Sequence, residues 1–188
     1  MRASFLGMAI AAAILAADQV TKLAMIEWLA DHGRSVEVLG FLNLRLGYNK
    51  GISFGLLRDL LGERPWLVIV INAAIVSVLL AWMLRAERRS EVAALGSIVG
   101  GALGNVTDRV RQGSVTDFID LHAYGWHWPS FNLADSAIVV GAFGLVISSL
   151  MAGSAPDATG SPDRSNRRNR GNAGSLGSES TKTLEADR

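Results

Sequence analysis

The stretch FNLADSAIVVGAFGLVISSLM, residues 131–151, decides how this chain is read. From Ala137 onward it is apolar except for glycines, Ser148 and Ser149. That composition suits a membrane helix, which needs about 20 residues. Yet Asn132 and Asp135 stand at its entrance. A charge at bilayer depth costs at least about 2.5–3.5 kcal/mol, so a carboxylate kept there is either satisfied by its neighbours or used.

The rest of the sequence has the same character. Of 188 residues 49% are hydrophobic, and the apolar residues gather in blocks between short charged segments. Mean hydropathy is +0.28. Three further blocks approach spanning length: residues 5–29, residues 65–84 with only Asn72 and Ser77 polar, and residues 91–109, rich in small residues. With 132–151 they predict an all-α membrane protein of four transmembrane helices, its membrane domain covering residues 1–152. Arg2, an apolar run and Ala11 to Ala13 resemble a cleaved signal peptide, but a helical pattern continuing from Asp18 to Ala30 favours a retained first span.

Charge sets the expected orientation. The linker RAERRSE, residues 85–91, carries Arg85, Arg88 and Arg89, and the C-terminal region adds Arg164, Arg167, Arg168 and Arg170. The positive-inside rule puts these, and both termini, in the cytoplasm. Arg34, Arg45, Lys50, Arg58 and Arg64 in the first loop run against it. In that loop Leu42, Leu44 and Leu46 alternate with Asn43 and Arg45, and glycines recur at 40, 47, 51 and 55. Such a pattern predicts a small sheet, about residues 35–58, lying on the outer membrane surface. The segment 110–130 is expected as a second outer loop, and its HAYGWHWP suits the headgroup region. Residues 153–188 turn polar and Gly/Ser-rich, as a disordered cytoplasmic tail does.

Several chemistries are excluded or unsupported. A net charge of +1 implies no nucleic-acid partner, and the lack of cysteine excludes disulfides, a thiol nucleophile and thiolate metal ligands. His32, His122 and His127 follow no zinc-ligand spacing, so neither metal nor cofactor is expected.

What does stand out is carboxylates. Gly96, Gly100 and Gly104 share a helix face that lets another helix approach, and Asp108 continues that face with Asn105 and Arg109 beside it. Asp18 and Lys22 are spaced for a plain i,i+4 pair. The expected topology nevertheless brings Asp18, Asp108, Asp117 and Asp135 from separate segments toward the outer interface. Two facing carboxylates can share one proton, the ionised one serving as general base on water while the other polarises a carbonyl and protonates the leaving amine. Asp135 is the best-placed second member. Spacing cannot choose between Asp117 and Asp120 as its partner.

Five motifs settle on one resemblance. DQVTK at 18–22, NKGISF at 49–54, GGALGNVTDR at 100–109, VTDFI at 115–119 and FNLADSAI at 131–138 occur in order, each beside its expected span. Together they resemble the lipoprotein signal peptidases, or signal peptidase II, of the bacterial inner membrane, over about residues 17–146. The resemblance implies four membrane helices with an extracytoplasmic β-cradle and a further outer loop. It implies an aspartic endopeptidase that removes the signal peptide from prolipoproteins just before a diacylglyceryl-modified cysteine, with no metal or cofactor; a monomer is expected, since such a site needs only one chain, although the glycine face could also serve a dimer. The catalytic aspartates would be Asp117 and Asp135. Asn49, Asn105, Arg109 and Asn132 match positions that orient the substrate backbone or the pair. Asp18 matches a supporting polar position, and Asp108 lies in the same motif as Asn105. Gly51 and Ala134 match positions where bulk would crowd the peptide. Thr107 and Ser53 depart from the family's usual aliphatic residue and alanine. Two other readings stand beside it: a small proton-coupled transporter using Asp18, Asp108 and Asp135 as a relay, and a non-catalytic membrane scaffold held by the glycine face.

Overall fold

Helix α1, Ala3–Asp31, opens the chain and is followed by strands β1, Ser35–Leu39, and β2, Leu42–Asn49. Two helices come next, α2, Pro65–Arg85, and α3, Arg89–Gln112, then strands β3, Val115–Ala123, and β4, Trp126–His127, and finally helix α4, Leu133–Gly153. This is a computed structural model, and it describes residues 3–51 and 65–153. The expected reach of the sheet to residue 58, Ser53, and the expected tail at 154–188 lie outside the described residues.

Among the described residues three helices are long and apolar enough to cross a membrane: Ala3–Asp31, Trp66–Arg85 and Leu133–Met151. Their outward surfaces carry exposed Phe5, Val20, Val70, Val78, Val140 and Phe143, a distribution suited to a lipid solvent rather than water. The sequence pattern led us to expect four such helices. Helix α3 is equally long but falls short in apolar composition. Its position supplies the reason: α1, α2 and α4 all pack on it, so much of its surface meets protein. Val92, Leu95, Val99, Gly100 and Gly104 are all buried. Small residues serve an inner helix because they let neighbouring backbones come close. A Cβ at Gly100 would lie 2.6 Å from the carbonyl oxygen of Ala11, and one at Gly104 would collide with the Asp18 carboxylate. The glycine face inferred from spacing is therefore the seat of α1.

The sheet is antiparallel in the order β1-β2-β3-β4. The β1–β2 hairpin falls where the alternating leucines predicted it. The segment expected as an outer loop is built otherwise. Helix α3 runs on to Gln112 and ends at Gly113 in the left-handed conformation, and the chain then enters β3. Val115, Thr116, Asp117, Phe118 and Asp120 are all buried there. Polar residues turned inward erase the apolar-in, polar-out alternation by which a strand is recognised. Past β4 the chain returns to β3, where Phe131 and Ile119 exchange backbone hydrogen bonds of 3.0 and 2.9 Å. That pairing delivers Asn132 and the start of α4 beside Asp117.

Replacing Gly100 by Val tests the close approach. The added carbons have no space against the Ala11 backbone, and overpacking of this kind costs about 1–3 kcal/mol. Thermal unfolding in detergent should show a lower midpoint for Gly100→Val and an unchanged one for Val140→Leu on the exposed face.

Candidate active site

A helix begins with N–H groups that have no carbonyl partner within the helix. At α4 the sequence answers with a reciprocal cap. Asn132 Oδ1 accepts from the N–H of Asp135 at 2.9 Å, and Asp135 Oδ2 accepts from the N–H of Asn132 at 3.3 Å. This is a capping box with Asn and Asp in place of Ser/Thr and Glu. The N–H of Ala134 donates to Asp18 Oδ1 from α1 at 3.0 Å. The carboxylate at the mouth of a membrane helix is thus partly satisfied by the helix it opens.

The same two side chains reach outward. Asn132 is fully buried, and its Nδ2 donates to Asp117 Oδ1 at 2.8 Å, to the Thr116 carbonyl at 3.2 Å and to Asn105 Oδ1 at 3.2 Å. Asn105 Nδ2 donates to Asp135 Oδ1 at 2.8 Å. Asn132 therefore touches both Asp117 and Asp135. Asn49 also hydrogen-bonds Asp117, while its Oδ1 accepts from the N–H of Gly51 at 2.8 Å. Burial foremost, and then the Asp135 charge, push the Asp117 carboxyl up to about 6, against the opposing pull of the Asn132 and Asn49 hydrogen bonds.

Beneath this pair lies a buried ionic cluster. Lys22 Nζ lies 2.8 Å from Asp18 and 3.0 Å from Asp108, and it donates to Asn105 Oδ1 at 3.2 Å. Gln19 Nε2 bonds both Asp18, at 3.2 Å, and Asp108, at 3.1 Å. Asp108 in turn accepts from the N–H of Thr116 at 3.0 Å, which pins the start of β3. Arg109 lies within electrostatic reach of Asp135, Asp117 and Asp108; its Nη1 donates to the Asn105 carbonyl at 3.4 Å. Its buried Nε has no hydrogen-bond partner among the described residues.

Asp120 is differently placed. On β3 it pairs across from Asn43, whereas Asp117 pairs across from Gly47, and alternation along the strand puts the two carboxylates on opposite faces. Asp120 takes hydrogen bonds from His127 at 2.9 Å and Asn43 at 3.2 Å. Burial alone would raise its proton affinity, but those bonds outweigh it and hold the carboxyl below its ordinary value.

The sequence model of the family described as signal peptidase (SPase) II matches residues 10–151. The chain belongs to the signal peptidase II family. It is 44% identical over 165 residues to the lipoprotein signal peptidase of Methylobacterium sp. (strain 4-46), covering 87% of this chain and 99% of that relative. To the lipoprotein signal peptidase of Anaplasma phagocytophilum (strain HZ) it is 43% identical over 141 residues, 75% of this chain and 89% of the other. It also resembles a bacterial membrane enzyme solved by the in meso method at 1.9 Å resolution, with a TM-score of 0.64 and 31% identity over 77% of this chain and 92% of that one.

In this signal peptidase II the structure brings together Asp18, Asn49, Asn105, Asp108, Arg109, Asp117, Asn132 and Asp135. Gly51 is adjacent: a Cβ there would lie 3.5 Å from Arg109 Nη2. Ala134 is fully enclosed, and its methyl faces Gly104 in the α3–α4 contact. Thr107 turns its hydroxyl onto the Leu103 carbonyl at 2.8 Å, away from the carboxylates. Lys22 and Gln19 escaped the sequence reading, although both lie within DQVTK. As a neighbour of Asp18 in an i,i+4 pair, Lys22 looks like an ordinary surface cation. In the fold it is 2% exposed and holds two carboxylates from different helices.

Lys22→Met should therefore be far costlier than the loss of a surface pair. Removing one member of a buried ionic group leaves uncompensated charge, at about 3–5 kcal/mol. Thermal unfolding of Lys22→Met should show a large loss, and the further change Asp108→Asn should restore part of it.

Proposed function

We propose that Asp117 and Asp135 are the catalytic carboxylates with which this signal peptidase II removes signal peptides from lipoprotein precursors. The observation that carries the proposal is the raised proton affinity of Asp117 beside Asp135, with Asn132 hydrogen-bonded to both. A pair that holds one proton has an acid and a base ready together. Asp117, its proton affinity raised by burial and by the Asp135 charge, is assigned the part of acid. Asp135 accepts N–H bonds at both oxygens and is assigned the part of general base.

The reaction then follows. Asp135 takes a proton from water, whose oxygen adds to the scissile carbonyl carbon. Asp117 donates its hydrogen bond to the carbonyl oxygen, which gains negative charge. As the C–N bond breaks, the proton held by Asp135 passes to the leaving amine. The products are the carboxyl end of the signal peptide and a free amino group on the mature chain. Arg109, whose Nε has no hydrogen-bond partner among the described residues, is assigned to hold a substrate carbonyl.

The substrate is a prolipoprotein whose cysteine already carries diacylglyceryl, cut just before that cysteine. Lipid and signal helix hold the bond at the membrane interface, and the pair at the mouth of α4 waits at that depth. Helix α3 is the fourth span. Its 24 residues rise about 36 Å at about 1.5 Å each, enough for a hydrocarbon core of about 30 Å. With four spans both termini are cytoplasmic, and the site faces the extracytoplasmic side of the inner membrane. One chain supplies every residue invoked, so the enzyme works as a monomer. A proton relay through Asp18, Asp108 and Asp135 is disfavoured because Asp18 and Asp108 are both held in ion pairs with the one Lys22.

Purified enzyme should cut a diacylglyceryl-modified prolipoprotein and leave the unmodified precursor intact. Asp117→Asn and Asp135→Asn should each lose about 10²–10⁴-fold in kcat. Near-normal cleavage by either variant would remove that residue from the pair. Asp120→Asn should keep cutting.

Stability gives an independent check. The Asp117 carboxyl sits at about 6 in the fold against 3.8 ordinarily, so the folded state binds its proton more tightly. Stability from this group falls as pH rises between those values, and the ionised group weakens the fold above them. Asp117→Asn should therefore unfold at an equal or higher temperature than wild type at neutral pH, and lose that advantage in acid.

A further inference from the structure

We propose that the β3–β4 hairpin, residues 121–128, is a lipid anchor whose tip inserts into the headgroup region of the leaflet next to the active site. Tyr124 and Gly125 form its turn, with φ of 51° and 80°, between the paired residues Ala123 and Trp126. A two-residue turn with both φ positive is made cheaply by Asn-Gly or Gly-Gly. Here a tyrosine takes the first place, in a conformation that L-residues with large side chains avoid. Its side chain is completely exposed. A strained position that displays an aromatic ring to solvent points to something the ring must reach.

The flanking residues continue the argument. Trp126 is 61% exposed and Trp128 55%, their rings edge to face at 5.6 Å. They face across from Ala123 and Leu121, so both indoles stand on the face of the sheet that carries Asp117. From residue 121 to residue 134 there is no Asp, Glu, Lys or Arg. An exposed hairpin of Tyr, Trp and His without a charge has the composition of a membrane interface. Continuity with the membrane helices identifies the occupant. Only Pro129 to Asn132 separate Trp128 from Leu133, where the apolar helix α4 begins, and that helix offers Val139, Val140 and Phe143 to lipid. The other side of the hairpin is fixed to the protein, with His127 bonded to Asp120 at 2.9 Å and stacked on His122 at 5.1 Å. The anchor therefore holds the Asp117 face of the sheet at the depth of the lipid surface. Its value for catalysis rests on the peptidase reading; its insertion does not.

The chain has no cysteine, so Tyr124→Cys takes a single nitroxide label. In vesicles of phosphatidylethanolamine and phosphatidylglycerol, that label should be relaxed far more by oxygen than by a water-soluble nickel chelate, relative to the same label free in buffer. A ratio equal to the buffer value overturns the proposal, and this readout needs no catalysis. The triple variant Tyr124→Asn, Trp126→Thr, Trp128→Thr keeps turn and strand preferences while removing the aromatics. It should raise KM several-fold for substrate in vesicles while leaving kcat/KM unchanged for a lipopeptide in detergent. Equal losses in both media would assign the hairpin to the substrate peptide and overturn the membrane assignment, as would no loss in vesicles.

Discussion

The first turn of α4 sets the terms for the rest of the molecule. At its start Asn132 and Ala134 are fully enclosed, so acceptors for their N–H groups must come from protein. Asn132 and Asp135 cap one another, and Asp18 reaches across from α1 to Ala134. Each acceptor brings a charge or an amide that needs partners of its own. Lys22 balances Asp18 and Asp108, Asn105 links Lys22 to Asp135, and Asp108 fixes the start of β3 where Asp117 stands. Capping a single helix thus ties α1, α3, β3 and α4 into one buried polar network.

That network is neutralised unevenly. Asp18 and Asp108 share a lysine at under 3.1 Å, and Asp120 has its own histidine on the opposite face of the strand. Among the described residues Asp117 has amide donors but no cation in hydrogen-bond contact, and it faces the charge of Asp135. Asp18, Asp108 and Asp120 are paired, whereas burial beside Asp135 raises the proton affinity of Asp117. The difference sets Asp117 apart from those carboxylates more clearly than position in the sequence does.

Much of this was legible in the sequence, for particular reasons. The β1–β2 hairpin could be read because its leucines alternate with polar residues on a half-exposed sheet. Strand β3 could not, because Thr116, Asp117 and Asp120 point inward, where alternation expects apolar groups. Helix α3 has the length of a span but spends its surface on other helices, so its glycines and polar residues dilute the apolar signal. Lys22 was hidden for a related reason: an i,i+4 spacing to Asp18 describes a solvated pair and a buried one equally well. The choice of Asp117 over Asp120 came from the motif resemblance alone. The fold adds a physical ground, since the two side chains leave the strand on opposite faces.

The central claim is that the charge of Asp135 raises the proton affinity of Asp117. Infrared titration of the buried carboxyl band, assigned by its loss in Asp117→Asn, tests it most directly. In wild type the Asp117 band should titrate at about 6. In Asp135→Asn its midpoint should fall, because the neighbouring negative charge is gone, yet stay above 3.8, because burial, the larger cause, persists. A midpoint that does not move on loss of Asp135 would contradict that claim.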